Sequence, residues 1–229
     1  MRYLGIDGYR HGWVVVALDD GQRTIAYVPS IRAALAGPFD AAMIDMPIGL
    51  PERGNRACDT QGKALLGAAG SRVFLGARRP LFDFQSAADA NTWAFSVGKK
   101  GISCQLWCLL KKMREVEAAI APARQSVVLE CHPELVFFRL NGGKPVSASK
   151  KSPEGVAART NLLLQDGFAA LPDWLQARTR NPFDGRAPGA GKDDVLDACA
   201  CAIAARDKAR RIPEDPPCDA WGLRMEIWF

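Results

Sequence analysis

The sequence is poor in the residues that build zinc sites and disulfide frameworks. It has only two histidines among 229 residues, and none of its seven cysteines belongs to a C-x-x-C pair. A structural zinc site of the finger or ribbon type is therefore not expected. Several cysteines lie in apolar helical segments, where a free thiol acts as a small hydrophobic side chain. The odd number of cysteines favours a reducing compartment.

Long apolar runs and a strong charge of one sign are also missing. No run approaches the ~20 apolar residues that span a bilayer, and the first residues lack the apolar stretch of a secretory signal. The formal net charge of +5 permits an anionic partner such as nucleic acid, but it is too small to indicate one by itself. These absences predict a cytoplasmic protein without a membrane partner and leave its oligomeric state open.

Three apolar runs end on an acid where the chain breaks. RYLGID ends at Asp7, AAMID ends at Asp45, and SVVLE ends at Glu130. Because side chains alternate along a strand, Asp7 shares a face with Tyr3 and Gly5 of its own run. Ligand sites of open α/β sheets lie outside the carboxyl ends of the strands. The acids therefore stand where a binding site is expected.

Turn and strand signals predict an α/β fold in which two of these acids are neighbours. Short β-type runs at 2–7, 12–18 and 23–28 predict a three-strand meander. A short helix N-capped by Ser30 then leads to a strand at 41–45. The crossover predicts that this strand docks parallel to the first strand, on its free side. That packing would place Asp7 and Asp45 side by side.

The rest of the chain predicts a single domain over 1–229 with a helical insertion at 51–125. Within the insertion, helical periodicity is present at 55–74 and 103–121, and the segment between them, 76–100, is interpreted as irregular. The elements predicted after the insertion are a strand at 126–130, a helix at 155–167, a loop at 181–191 and a last strong helix over 193–211.

Asp193, Asp194 and Asp197 open that last helix. Capping explains the first two, since Asp is favoured at helix N-termini, but it explains Asp197 poorly because the dipole effect fades within the first turn. At spacings of three and four residues, the carboxylates are neighbours on the helix surface. The alanines that follow would let the helix lie close to a sheet. Capping and ligand binding both remain open for Asp193 and Asp194.

Convergence of the helix acids with Asp7 and Asp45 would require compensation of charge. Two like charges ~4 Å apart repel by roughly 4 kcal/mol at an effective dielectric of 20, which is a large share of a domain's stability. Protonation, salt bridges or a divalent cation could each compensate. Oxygen ligands favour Mg²⁺ or Mn²⁺, and two such ions are the usual machinery of phosphodiester hydrolysis.

Several motifs together resemble a known family. The motifs are GIDGYRHGWVVV, IDMPIGLP, GSRVF, ECHPELVF, KKSPEG and DDVLDA, which extend over nearly the whole chain. They are similar to a prokaryotic family of unknown function, domain of unknown function 429, which is regarded as predicted RNase H-like nucleases. The LGID opening and the DxxDA pattern also resemble the Holliday-junction resolvase branch of that superfamily.

The resemblance implies both a fold and, by analogy, an activity. The fold is an RNase H-like α/β domain, with a mixed five-stranded sheet that combines a three-strand antiparallel meander with parallel strands and is flanked by helices. The activity is metal-dependent hydrolysis of nucleic acid by two metal ions. The implied cofactor is Mg²⁺ or Mn²⁺, and the implied partner is DNA or RNA.

The resemblance also implies roles for particular residues. The implied catalytic metal ligands are Asp7, Asp45, Asp194 and Asp197. Asp193 competes for one of the helix positions, and Glu130 is either an extra ligand or a group that orients His132. Candidates for positioning phosphates are Arg10, Arg72, Lys150, Lys151, Lys192 and His132. Arg72 and Lys151 gain support from the family-like motifs, while a hydrogen-bonded structural role is the alternative for His132.

Two other functions remain open from the sequence. In the first, the chain is a non-catalytic RNase H-like binding module, whose acids are structural. In the second, it is a nucleotide-dependent phosphotransferase, because GIDGYRHGW also resembles the phosphate loop of the actin and sugar-kinase superfamily. Members of that superfamily need two such domains, and this sequence indicates one.

Overall fold

A mixed five-stranded sheet confirms the predicted α/β architecture. The computed structural model describes residues 1–98, 100–177 and 189–229. The strands are β1 (Arg2–Tyr9), β2 (Gly12–Asp19), β3 (Gln22–Val28), β4 (Ala41–Ile44) and β5 (Val128–Glu130). Their order in the sheet is β3-β2-β1-β4-β5. The first three form an antiparallel meander, and β4 docks parallel to β1 on its free side, as the sequence predicts.

Eight α-helices are present in the described part of the chain. They are α1 (Ile31–Ala34), α2 (Ala57–Leu66), α3 (Ala87–Val97), α4 (Cys104–Glu117), α5 (Pro133–Leu140), α6 (Pro153–Gln165), α7 (Leu171–Ala177) and α8 (Lys192–Asp207). A two-stranded sheet pairs β6 (Arg211–Ile212) with β7 (Ile227–Trp228). Among the described residues, no helix combines the length and apolar character that a membrane crossing requires.

The chain divides into two units. The first comprises Met1–Met46, Ser126–Arg211 and Trp228–Phe229, and it contains the five-stranded sheet. The second comprises Pro47–Gln125 and Ile212–Ile227. The predicted insertion falls in the second unit, and its assignment to one domain with the rest stays a prediction. Most of the loop predicted at 181–191 lies outside the described residues.

In the first unit, α8 packs across β1, β4 and β2, and glycine makes this close approach possible. A Cβ atom on Gly5 would lie 2.1 Å from both the carbonyl oxygen of Ala198 and the backbone nitrogen of Ala202. Real Cβ atoms do not come so close to backbone, so the helix lies on β1 only because residue 5 lacks a side chain. The prediction that the alanine-rich helix lies close to a sheet is thereby confirmed.

In the second unit, the interpretation of 76–100 as irregular is wrong. Helix α3 covers Ala87–Val97, and the hydroxyl oxygen of Ser86 accepts a hydrogen bond from the backbone N–H of Asp89 at 3.1 Å. Ala90 and Ala94 are the buried residues of this helix. Its buried face therefore consists of small side chains, which give a weak apolar periodicity, while its start is set by the serine cap.

Candidate metal centre

Three carboxylates from distant parts of the sequence meet where β4 ends beside the last residues of β1. Asp7 lies within β1, which continues to Tyr9 and does not break after the acid as the sequence suggested, whereas Asp45 directly follows β4. One carboxylate oxygen of each of Asp7, Asp45 and Asp197 lies within 4.8 Å of the others. Asp7 and Asp197 are buried, and Asp45 is half-buried. The structure thus brings together three of the four residues that the sequence nominates as catalytic. These three residues are called the acidic cluster below.

The register of the sheet explains why Asp7 and Asp45 are neighbours. Ile6 of β1 pairs with Ile44 of β4 in the parallel ladder, so each aspartate is the next residue along its chain. The backbone N–H of Asp45 donates to the carbonyl oxygen of Ile6 at 2.9 Å, which continues the pairing past the end of β4. The backbone N–H of Gly8 donates to Oδ1 of Asp7 at 2.7 Å. Backbone hydrogen bonds therefore fix the carboxylate of Asp7 and the main chain of Asp45.

The three acids of α8 have different surroundings. Oδ2 of Asp194 accepts a hydrogen bond from the backbone N–H of Gly191 at 2.7 Å, so Asp194 does cap the helix. Asp197 lies one turn further on, and its side chain is 2% exposed. Asp193 is half-buried in the first turn. The sequence nominates Asp194 and Asp197 as ligands, with Asp193 competing for one position, and the structure places Asp197 in the cluster.

Lys150 is a basic residue that reaches the acidic cluster. Its Nζ lies 2.6 Å from Oδ2 of Asp197 and 4.0 Å from Oδ2 of Asp193. The sequence favoured the adjacent Lys151, which is exposed. Neighbouring lysines in a loop give no periodicity, so no sequence signal could have shown which of the two turns inward.

One lysine compensates the carboxylates only in part. Burial raises the pKa values of Asp7 and Asp45 well above their ordinary range, and neighbouring carboxylates raise both further. Burial likewise raises the pKa of Asp197, against the opposing effect of Lys150, and it raises the pKa of Asp194 to about 6. Burial would lower the pKa of Lys150, but the carboxylates around it raise that pKa instead. Lys150 therefore keeps its positive charge at neutral pH.

Two buried oxygen atoms at this end of the sheet have no hydrogen-bond partner in the described part of the protein. They are Oδ1 of Asp197 and the hydroxyl oxygen of Tyr9. Burial, followed by the charge of Asp194, raises the pKa of Tyr9. Tyr9 lies two residues beyond Asp7 on the same face of β1, a signal that the sequence contained but that the prediction did not use. Native proteins leave few buried polar atoms unpaired, so both atoms are candidates for contact with a ligand.

The other predicted residues lie in various places. Glu130 ends β5, is buried, and is near enough for its charge to contribute to the raised pKa of Asp45. His132 is half-buried and immediately precedes α5, which begins at Pro133. Arg10, Lys151 and Lys192 are exposed. Arg72 is half-buried and belongs to the second unit.

A buried ion pair between Arg159 and Glu134 contacts the loop that carries Lys150. Nη2 of Arg159 donates to Oε1 and Oε2 of Glu134 at 2.7 and 2.9 Å, and the arginine side chain is 0% exposed. Nη1 of Arg159 donates to the carbonyl oxygen of Ala148 at 3.3 Å. The sequence analysis missed this pair, because the two residues are far apart in the chain and belong to helices that only the fold brings together.

Comparison with known families identifies the chain. The model of a family described as "Protein of unknown function (DUF429)" matches residues 5–217. The chain belongs to this family. The family resemblance drawn from the motifs is thereby confirmed, while a nuclease activity of the DUF429 chain stays a prediction. No curated protein and no solved structure matches the chain.

The raised pKa values predict a stability that depends on pH when divalent ions are absent. The pKa of Asp194 is raised from the ordinary carboxyl pKa of 3.8 to about 6. Between these two pH values the folded protein binds more protons than the unfolded chain. The free energy of unfolding therefore falls as pH rises through this window. Asp45→Asn removes one of the repelling charges. We expect the variant to match the wild type at pH 4 in EDTA and to exceed its unfolding free energy at pH 7 by about 1–2 kcal/mol.

Thermal unfolding in EDTA and in Mn²⁺ tests this expectation. In Mn²⁺ the order should reverse, because only the wild type keeps all three carboxylates for the ion and gains stability from binding it. Asp173→Asn, at an exposed position of α7, controls for a general effect of charge and should behave like the wild type. An Asp45→Asn variant that is less stable than the wild type in EDTA at pH 7 would show that repulsion between the carboxylates does not lower the stability of the fold.

Proposed function

We propose that the chain is a metal-dependent phosphodiesterase that hydrolyses nucleic acid on an RNase H-like domain. The observation that carries the proposal is the acidic cluster, in which three carboxylate oxygens from β1, the end of β4 and α8 lie within 4.8 Å of one another. The strand order, an antiparallel meander joined to parallel strands, agrees with the RNase H resemblance.

The residues of the cluster fit a hard divalent cation. All three donors are carboxylate oxygens, the donor type that Mg²⁺ and Mn²⁺ prefer. Oδ1 of Asp197 is buried without a hydrogen-bond partner among the described residues, and a cation would satisfy it. When bound, a divalent ion supplies Lewis-acid activation of water and stabilises charge on a phosphoryl group. Asp7, Asp45 and Asp197 would hold the ion, with Asp194, Asp193 and Glu130 as nearby acids.

Exposed basic residues of the first unit support a polyanionic substrate. Arg10 directly follows β1, and Lys192 is the first residue of α8, so both lie at the ends of elements that carry the acidic cluster. Lys151 is exposed beside the inward-facing Lys150. Exposed cations contact phosphates without reading base sequence, so we expect cleavage to depend on the shape of the substrate more than on its sequence.

Asp7→Asn tests the proposed activity. Asparagine keeps a side-chain oxygen for the N–H of Gly8 but removes the negative charge that a cation requires. We expect the variant to lose at least about 100-fold in the rate of cleavage, because a ligand of the ion is lost. The measurement is hydrolysis of single-stranded, double-stranded and branched DNA and RNA in Mg²⁺, in Mn²⁺ and in EDTA.

Asp173→Asn is the matched control, because it makes the same chemical change at an exposed position away from the cluster. It should cleave at the wild-type rate. Cleavage by Asp7→Asn at the wild-type rate, or cleavage that persists in EDTA, would contradict the proposal.

A non-catalytic binding module is the second candidate. The ion pair between Lys150 and Asp197 favours it, because part of the charge of the cluster is already neutralised by the protein itself. This candidate predicts no heat of binding for Mn²⁺ in titration calorimetry. It also predicts that Asp7→Asn remains more stable than the wild type even at millimolar Mn²⁺.

A further inference from the structure

The ammonium group of Lys150 lies between two acids of α8. Its Nζ is 2.6 Å from Oδ2 of Asp197 and 4.0 Å from Oδ2 of Asp193. These two aspartates are four residues apart on one face of the helix, and the sequence offered Asp197 as a metal ligand and Asp193 as a competing one. A positive charge of the protein therefore already stands beside these carboxylates.

The backbone around Lys150 is held by buried contacts. Nη1 of Arg159 donates to the carbonyl oxygen of Ala148 and, at 3.0 Å, to that of Gly155. A Cβ atom on Gly155 would stand 1.8 Å from the carbonyl oxygen of Ser149, so helix α6 packs directly against the backbone before Lys150. The lysine is thus presented by a fixed loop, and its position does not depend on its own flexible side chain alone.

The oxygens of the acidic cluster are partly assigned to other partners. Oδ2 of Asp197 accepts from Lys150, and Oδ1 of Asp7 accepts from Gly8. Oδ1 of Asp197 is buried with no hydrogen-bond partner in the described part of the chain. In two-ion sites a carboxylate between the ions offers one oxygen to each. In this protein, Oδ2 of Asp197 accepts a hydrogen bond from the ammonium group of Lys150, and Oδ1 remains for an ion.

We propose that the acidic cluster takes one divalent cation and that Lys150 supplies the second positive charge of the site. One ammonium and one divalent ion balance the charges of the three carboxylates. The inference rests on the proposed function. It replaces the two divalent ions that the sequence favoured by one. Lys150 acts through its charge: its ammonium group occupies Oδ2 of Asp197 and competes with a cation for the carboxylates.

Calorimetric titration with Mn²⁺ tests the inference independently of activity. The wild type should bind one equivalent. In Lys150→Met, which keeps the length of the side chain and removes its charge, we expect either a second equivalent or binding of the first that is at least about tenfold tighter, because a repelling cation has been removed. Lys150→Arg retains the charge and should bind one equivalent with wild-type affinity within about threefold. It also serves as a second variant if Lys150→Met does not fold.

Lys151→Met is the matched control for Mn²⁺ binding, since it removes one charge from the adjacent, exposed position. It should bind like the wild type. Two equivalents bound by the wild type, or unchanged or weaker binding by Lys150→Met, would overturn the inference.

Cleavage assays on the same preparations separate this inference from the proposed function. One bound equivalent of Mn²⁺ without any cleavage supports the single-ion site and contradicts the proposed nuclease activity. Two bound equivalents with cleavage do the reverse.

Discussion

Gly5→Ala is expected to lower the free energy of unfolding by about 3 kcal/mol or more, although it adds only one methyl group. The new Cβ atom would stand 2.1 Å from the backbone of Ala198 and Ala202. Because the obstructing atoms belong to backbone, no change of rotamer relieves the contact, and α8 must move away from β1. Urea denaturation measures the loss, and the melting temperature should fall by about 6–12 °C.

The displacement of α8 should also reach the acidic cluster. Asp197 is carried by the same helix, so Gly5→Ala should weaken Mn²⁺ binding even under conditions in which the variant remains folded. Gly37→Ala is the control, since nothing lies within 4 Å of its Cβ position and only its positive φ opposes the change. We expect it to be destabilised by about 1 kcal/mol, without an effect on Mn²⁺. A Gly5→Ala protein within about 0.5 kcal/mol of the wild type would contradict the described packing of α8.

Arg159→Met is expected to destabilise the protein by about 3–5 kcal/mol. The substitution leaves the carboxylate of Glu134 buried and without its bidentate partner, and the side chains of this pair are 0% and 6% exposed. It also removes the hydrogen bond to Ala148 that helps to hold the loop of Lys150. Urea denaturation measures the first effect, and Mn²⁺ titration detects the second as a changed affinity.

The double variant Arg159→Met/Glu134→Gln separates charge from packing. If the loss comes from an uncompensated charge, the second substitution should recover more than half of it, since a neutral amide costs less to bury. Arg139→Met is the matched control: its partner is Asp207, and the two side chains are 22% and 24% exposed. A loss of less than about 1 kcal/mol is expected there, as for partly exposed pairs. Equal losses in the two single variants would contradict the role of burial.

The position of the strand acids could be predicted because it depends on local rules. Alternation along β1 and β4, together with a right-handed crossover, is enough to put Asp7 beside Asp45. Asp197 was nominated because capping explains it poorly, but whether Asp193 or Asp194 joins it could not be predicted, because that depends on the rotation of α8 on the sheet. That rotation is fixed by the contact of Gly5 with the backbone of Ala198 and Ala202, which no periodicity reveals.

The residues that support the site were harder to find than the acids themselves. The sequence favoured Lys151, but the fold brings the ammonium group of the adjacent Lys150 to Asp197. Helix α3 was missed because its buried face is built from alanine, which gives little contrast with its exposed face. In each case the missing information was a tertiary contact.

The acidic cluster is also completed late in synthesis. β1 and β4 precede Ser126–Glu130 and all the later elements, and Asp197 comes 153 residues after Ile44, the last residue of β4 (197 − 44). A nascent chain emerges from its N-terminus onward, so it can pair these strands while still lacking the third carboxylate. A growing polypeptide therefore has no complete set of carboxylate donors until α8 has left the ribosome, so divalent cations cannot occupy the cluster while the strands first pair.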